Sequence, residues 1–70
     1  MAFIPEKLKK ARKQAGLTMQ DVASAVQVDR QTVYMWEAGK TLPNADRLAR
    51  IAEACGVGIE FFFNGGEKTR

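Results

Sequence analysis

The sequence contains no histidine and only one cysteine, Cys55. Without histidine, the commonest general base near neutral pH is missing. Nor is there an imidazole to activate Cys55 as a nucleophile. A lone thiol cannot form an intrachain disulfide or build a tetrahedral zinc site, so no metal or other cofactor is expected. No apolar run approaches the roughly 18 residues that cross a bilayer, and the N-terminus carries no secretory pattern. A cytoplasmic location is expected, where a reduced thiol is at home. Strand signals, internal repeats and low-complexity segments are also lacking. Together these absences argue against an enzyme, a metalloprotein and a membrane protein, and leave a binding role.

What is present is a folding composition. Of 70 residues, 46% are hydrophobic and 27% charged, enough for one domain around one small core. Net charge is +3 with a pI near 9.4, a mild bias toward polyanions. Lys7, Lys9, Lys10, Arg12 and Lys13 crowd one stretch, opposed locally by Glu6 alone. They make either a solvated helix face or a footprint for phosphates.

Punctuation and periodicity predict five short helices. The first runs from about Pro5 to Ala15, with proline at its first position, Ile4, Leu8, Ala11 and Ala15 on one face, and Gly16 as its stop. The second runs from about Met19 to Val26 behind Thr18, with Asp21 completing a box-like cap. The third runs from about Arg30 to Ala38 behind Asp29, and Gly39 ends it. The fourth starts at Asn44 or Asp46 and reaches Cys55, with Leu48, Ile51, Ala52 and Cys55 inward and Gly56 beyond. A short fifth spans about Ile59 to Phe63. Residues 1–64 are expected to form the domain and 65–70 a frayed tail.

Only Gln27, Val28 and Asp29 separate the second and third helices. So short a link cannot lay the two antiparallel and forces a steep crossing, the helix-turn-helix geometry. Ala23 suits the close approach, and Val22, Val26, Val28, Val33 and Trp36 supply its inward positions. With those inside, the third helix turns Arg30, Gln31, Tyr34 and Met35 outward, with Asp29 at its start. Arg and Gln can make bidentate contacts to guanine and adenine edges, and Tyr and Met can pack on a thymine methyl. Solvated helix faces seldom combine these four.

The segments "GLTMQDVA", "DRQTVYMWEAGKTLP" and "LARIAEACGV" resemble the phage repressor/Cro-like helix-turn-helix family, often called XRE. The likeness covers about Leu8 to Phe63. It implies an all-α, lambda-repressor-like bundle that binds operator DNA as a homodimer and regulates transcription. It places Asp29, Arg30, Gln31, Tyr34 and Met35 at base-reading positions. Met19, Gln20, Thr32, Lys40, Thr41 and Asn44 fall at phosphate-binding positions, with helix amides assisting at Met19 and Gln20. Arg12 and Glu37 match a structural ion pair tying the first helix to the third.

The sequence departs from that pattern twice. Met19 stands where Gln is common, and Gln27 where Gly is usual at the turn. Three consecutive phenylalanines, Phe61 to Phe63, cannot all face one core at 100° per residue, so at least one is left exposed or for a partner. The resemblance implies that Phe61 and Phe62 help build a dimer interface. The rival reading is a protein-interaction module, antitoxin-like or adaptor-like, that presents the same Phe-rich end. Double-stranded DNA is the expected partner, with no membrane and no small-molecule ligand. Gly65 and Gly66 could equally begin a linker or close a small regulator.

Overall fold

The computed structural model describes residues 3–63; the expected tail at 65–70 lies outside them. Four α-helices follow in order: α1 Pro5–Gln14, α2 Met19–Val26, α3 Arg30–Glu37 and α4 Ala45–Cys55. A 3₁₀ turn, Ile59–Phe62, closes the order. The predicted Ala15 and Ala38 ends fall one residue outside their helices, as C-caps.

Caps explain why the helices begin where they do. The Thr18 hydroxyl accepts the Asp21 amide at 3.0 Å, and Asp21 accepts the Thr18 amide at 2.8 Å. Both halves of a capping box are therefore present even with the shorter aspartate. Asp29 and Asn44 cap α3 and α4 through the amides of Thr32 and Arg47. Gln27 ends α2 at φ 62° and ψ 46°, the left-handed conformation that glycine adopts without penalty. Gly39 leaves α3 at φ +79°, and a Cβ there would also lie 3.4 Å from the Pro5 ring. That close approach seats the end of α3 against the start of α1.

Leu8, Val22, Val33, Ile51 and Phe62 are fully buried, with Trp36 and Leu48 almost so. Helix α2 packs chiefly on α3 and α4, and α1 packs across α3, α4 and the 3₁₀ turn. Arg12 is buried where the α1 pattern placed only apolar neighbours, while Ala15 is exposed. The basic cluster on α1 is correspondingly thinner: Lys9, Lys10 and Lys13 are exposed, and Lys7 lies over the Phe61 ring at 5.1 Å. Cys55 is half-buried against the core, and desolvation pushes its thiol pKa up.

The C-terminal end differs most from expectation. The fifth element is a single 3₁₀ turn held by Phe61 N–H to the Gly58 carbonyl and Phe63 N–H to the Glu60 carbonyl. It cannot continue as an α-helix because Phe63 turns extended and bridges Phe3, beside an Ile4 N–H to Phe62 carbonyl bond of 2.8 Å. This antiparallel contact joins the two ends of the described chain. It also corrects the reading of Phe62 as an interface residue: its side chain has no exposed surface and belongs to its own core. Phe61, half-buried at the edge, is the one of that pair still open to a partner. Among the described residues, no helix is long and apolar enough to cross a membrane.

Candidate nucleic-acid interface

The fold brings the start of α2 beside the outer face of α3. Gln27, Val28 and Asp29 form the entire link, and Val28 N–H donates to the Ala23 carbonyl at 2.9 Å, which folds the link back onto α2. Val33 and Trp36 go inward, as their i, i+3 spacing requires. The residues left outside are Arg30, Gln31 and Tyr34, with Met35 half-buried at the margin. Tyr34 is 47% exposed and presents one edge of this face to solvent.

Met19, Arg30, Gln31 and Tyr34 line an open cleft of about 300 Å³. The base-reading and phosphate-binding sets predicted from sequence therefore meet at Met19. Gln20 lies alongside, its amide donating to Ser24 Oγ at 3.3 Å. Since the Thr18 hydroxyl takes the third amide of α2, the amides of Met19 and Gln20 remain without an intrahelical acceptor. These are the groups that a phosphate oxygen meets at a helix N-terminus.

Two predicted site residues are largely occupied with each other. Asp29 Oδ1 accepts the Thr32 hydroxyl at 2.7 Å and the Thr32 amide at 3.1 Å. The hydroxyl bond, then the amide bond, lowers the Asp29 pKa below its ordinary value of 3.8. The Thr32 proton is thus committed inside the helix start, and Asp29 serves as the cap of α3.

The remaining predicted positions lie in the connection from α3 to α4. Lys40 and Thr41 are exposed in that loop, and Lys40 N–H donates to the Met35 carbonyl at 3.0 Å. Asn44 uses its side-chain oxygen for the Arg47 amide, which leaves its NH₂ group outward as a donor. Leu42, in the same loop, is 69% exposed and was not singled out by its sequence. Arg47 and Arg50 also went unnoticed. They line a second, polar groove of about 200 Å³ with Val26, Gln27, Asn44 and Asp46. Their place could be inferred as the complement of the inward stripe on α4.

Arg12 and Glu37 hold this arrangement from beneath. Arg12 Nε donates to Glu37 Oε2 at 2.7 Å and Nη2 to Oε1 at 3.3 Å, a two-point contact. Nη1 donates to the Leu17 carbonyl at 2.9 Å, so one guanidinium ties α1, the α1–α2 link and α3. No buried side-chain polar atom lacks a partner among the described residues.

Residues 8–62 match the helix-turn-helix family HTH_3. The chain belongs to that family. This helix-turn-helix domain is 34% identical over 62 residues to the HTH-type transcriptional activator BcrR of Enterococcus faecalis, covering 89% of this chain and 30% of the activator. It is 33% identical over 68 residues to the HTH-type transcriptional regulator RP497 of Rickettsia prowazekii (strain Madrid E), covering 97% of this chain and 52% of the regulator. The chain therefore spans between about a third and about half of these relatives. In fold it is similar to the P22 c2 repressor solved with a synthetic operator, at a TM-score of 0.80 and 20% identity over 93% of this chain and 98% of that one. The hydroxypropylphosphonic acid epoxidase of S. wedmorenis contains a similar unit, at a TM-score of 0.75 and 30% identity. That match covers 83% of this chain and 31% of the epoxidase.

Proposed function

We propose that this helix-turn-helix domain is a sequence-specific reader of duplex DNA that regulates transcription in the cytoplasm by occupying its site, without catalysing a reaction. The observation that carries this reading is the face of α3. Arg30, Gln31 and Tyr34 project from a helix whose start abuts that of α2, so donors and a ring reach outward from one rigid unit. A major groove about 12 Å wide accepts one such helix. In that pose Arg30 and Gln31 meet base edges, Met35 borders the groove, and the amides at Met19 and Gln20 meet a phosphate. Lys40, Thr41 and Asn44 flank the helix and hold the backbone. The names of the relatives and the operator-bound P22 c2 repressor support this assignment.

Two copies bind together, in this reading, with α3 from each placed about one DNA turn apart, roughly 34 Å. Phe61 contributes to their contact, because it is the phenylalanine of the 61–62 pair that keeps exposed surface at the edge of the core.

Selection of bound sequences from a pool of random duplexes tests the proposal. It should enrich an inverted repeat whose half-sites lie one helical turn apart. Recovery of unenriched sequence would contradict the reading and favour a protein-binding adaptor.

A further inference from the structure

We infer that the cleft between Met19 and Tyr34 receives the 5-methyl group of a pyrimidine, which makes Met19 a specificity-determining residue. The inference rests on the DNA-reading function proposed above and names the chemistry that the site selects.

The cleft has mixed walls. Met19, from the first turn of α2, is half-buried and packs against the hydrophobic core. Tyr34 supplies a second, largely apolar wall from α3, with nearly half of its surface open. Arg30 and Gln31 complete the lining, and neither side chain has a hydrogen-bond partner among the described residues. An apolar notch thus sits among unsatisfied donors on a surface that otherwise presents polar groups.

Base-pair edges in the major groove offer donors, acceptors and one apolar feature, the methyl group on C5 of thymine. A methyl-bearing pyrimidine is the group that such a notch complements. Seating it removes the methyl group and the two side chains from water together. The adjacent donors of Arg30 and Gln31 are then set against the N7 and O6 or N7 and N6 edges of a neighbouring purine. A pyrimidine without the methyl group leaves Met19 and Tyr34 facing water. Thymine and 5-methylcytosine carry the same methyl group at the same position, and the chemistry of the cleft is common to both.

The test uses the full chain and a duplex carrying the sequence recovered from the random pool. Each thymine of one half-site is replaced singly by uracil, which deletes the methyl group alone. One position should lose about four-fold in affinity, the worth of one buried methyl group. Replacing both symmetry-related thymines should lose about sixteen-fold. Met19→Gln should abolish this dependence on the methyl group, so that uracil and thymine at the sensitive position bind the variant equally. A thermal melt checks that the variant folds, and the uracil series on the unaltered chain decides the matter if it does not. At the sensitive position, cytosine is then compared with 5-methylcytosine. Tighter binding to the methylated base shows that either source fills the cleft; equal binding restricts it to thymine. Sequence-specific binding that tolerates uracil everywhere would overturn the inference and leave the DNA-reading function intact. Failure to enrich any sequence would overturn both.

Discussion

Arg12 Nε lies 2.7 Å from Glu37 Oε2, and both side chains are more than nine-tenths buried. The pair joins α1 to the last residue of α3, and its third contact reaches the Leu17 carbonyl. Desolvating two charges costs several kcal/mol each, so the gain lies less in raw stability than in a fixed relation between helices. Removing one partner strands the other. Arg12→Met should cost about 3–5 kcal/mol, measured by denaturant unfolding. The double change Arg12→Met with Glu37→Met should recover most of that loss. Equal losses in the single and double variants would show that the pair does not act as a unit.

Gln27 occupies left-handed backbone at φ 62°, the only non-glycine residue with positive φ among those described. That conformation costs an ordinary residue about 1–2 kcal/mol. Glycine relieves it but gains about 0.5–1 kcal/mol of unfolded-state entropy. Gln27→Gly should therefore stabilise the fold by on the order of 0.5 kcal/mol, read as a rise in melting temperature. A fall would show that the Gln27 side chain contributes more than its backbone strain costs.

Acid should act on the start of α3. The Asp29 pKa is lowered from 3.8 by its bonds to Thr32, so folding favours the ionised carboxylate. Its contribution is complete above the unfolded value and is lost as pH falls through the lower folded value. Asp29→Asn keeps a capping oxygen and removes the charge. The melting-temperature gap between the two proteins should be steady well above the ordinary value of 3.8 and close as pH drops below it. A gap that ignores pH would contradict this account of the cap.

Phe61 should govern association. Phe61→Ser removes a half-buried edge ring that lies beside Lys7 and packs edge-on against Phe62, so the fold should survive with a lowered melting temperature, the fully buried core residues being unchanged. Sedimentation should show weaker self-association than in the unaltered chain, and binding to a two-fold site should lose cooperativity. A chain that is strictly monomeric both alone and on DNA would contradict the dimer.

Most of the fold is legible in the sequence because its signals are local. The α2 boundaries follow from Thr18, Asp21 and the three-residue link, and the buried faces of α2 and α3 follow from spacing. The errors arise where a distant residue decides. Spacing along α1 does not say that Arg12 is buried; the family resemblance paired it with Glu37, 25 positions away, and that pair is present. The short helix read at about Ile59 to Phe63 is present as a 3₁₀ turn over Ile59–Phe62, and it stops one residue early where Phe63 is extended and bridged to Phe3, at the other end of the described chain. Phe62 was placed outside for the same reason, since the cavity that it fills is assembled by residues far away in sequence. At the candidate interface, side-chain types could be read but their commitments could not. Thr32 looks available until Asp29 is seen to take its proton. The meeting of Met19 with Tyr34 requires the crossing of two helices and is invisible in either segment alone.

The central claim is that α3 reads bases while the loop after it holds the backbone. The most direct test compares Gln31→Ala and Lys40→Ala on the selected duplex and on random duplex across a salt series. Gln31→Ala should lose about 1–3 kcal/mol on the selected sequence and relax preference at one base pair, with the salt slope unchanged. Lys40→Ala should weaken both duplexes alike and reduce the slope by about one. If Gln31→Ala kept the full sequence preference, or if unaltered protein bound both duplexes equally, the assignment of α3 as the reading helix would be wrong.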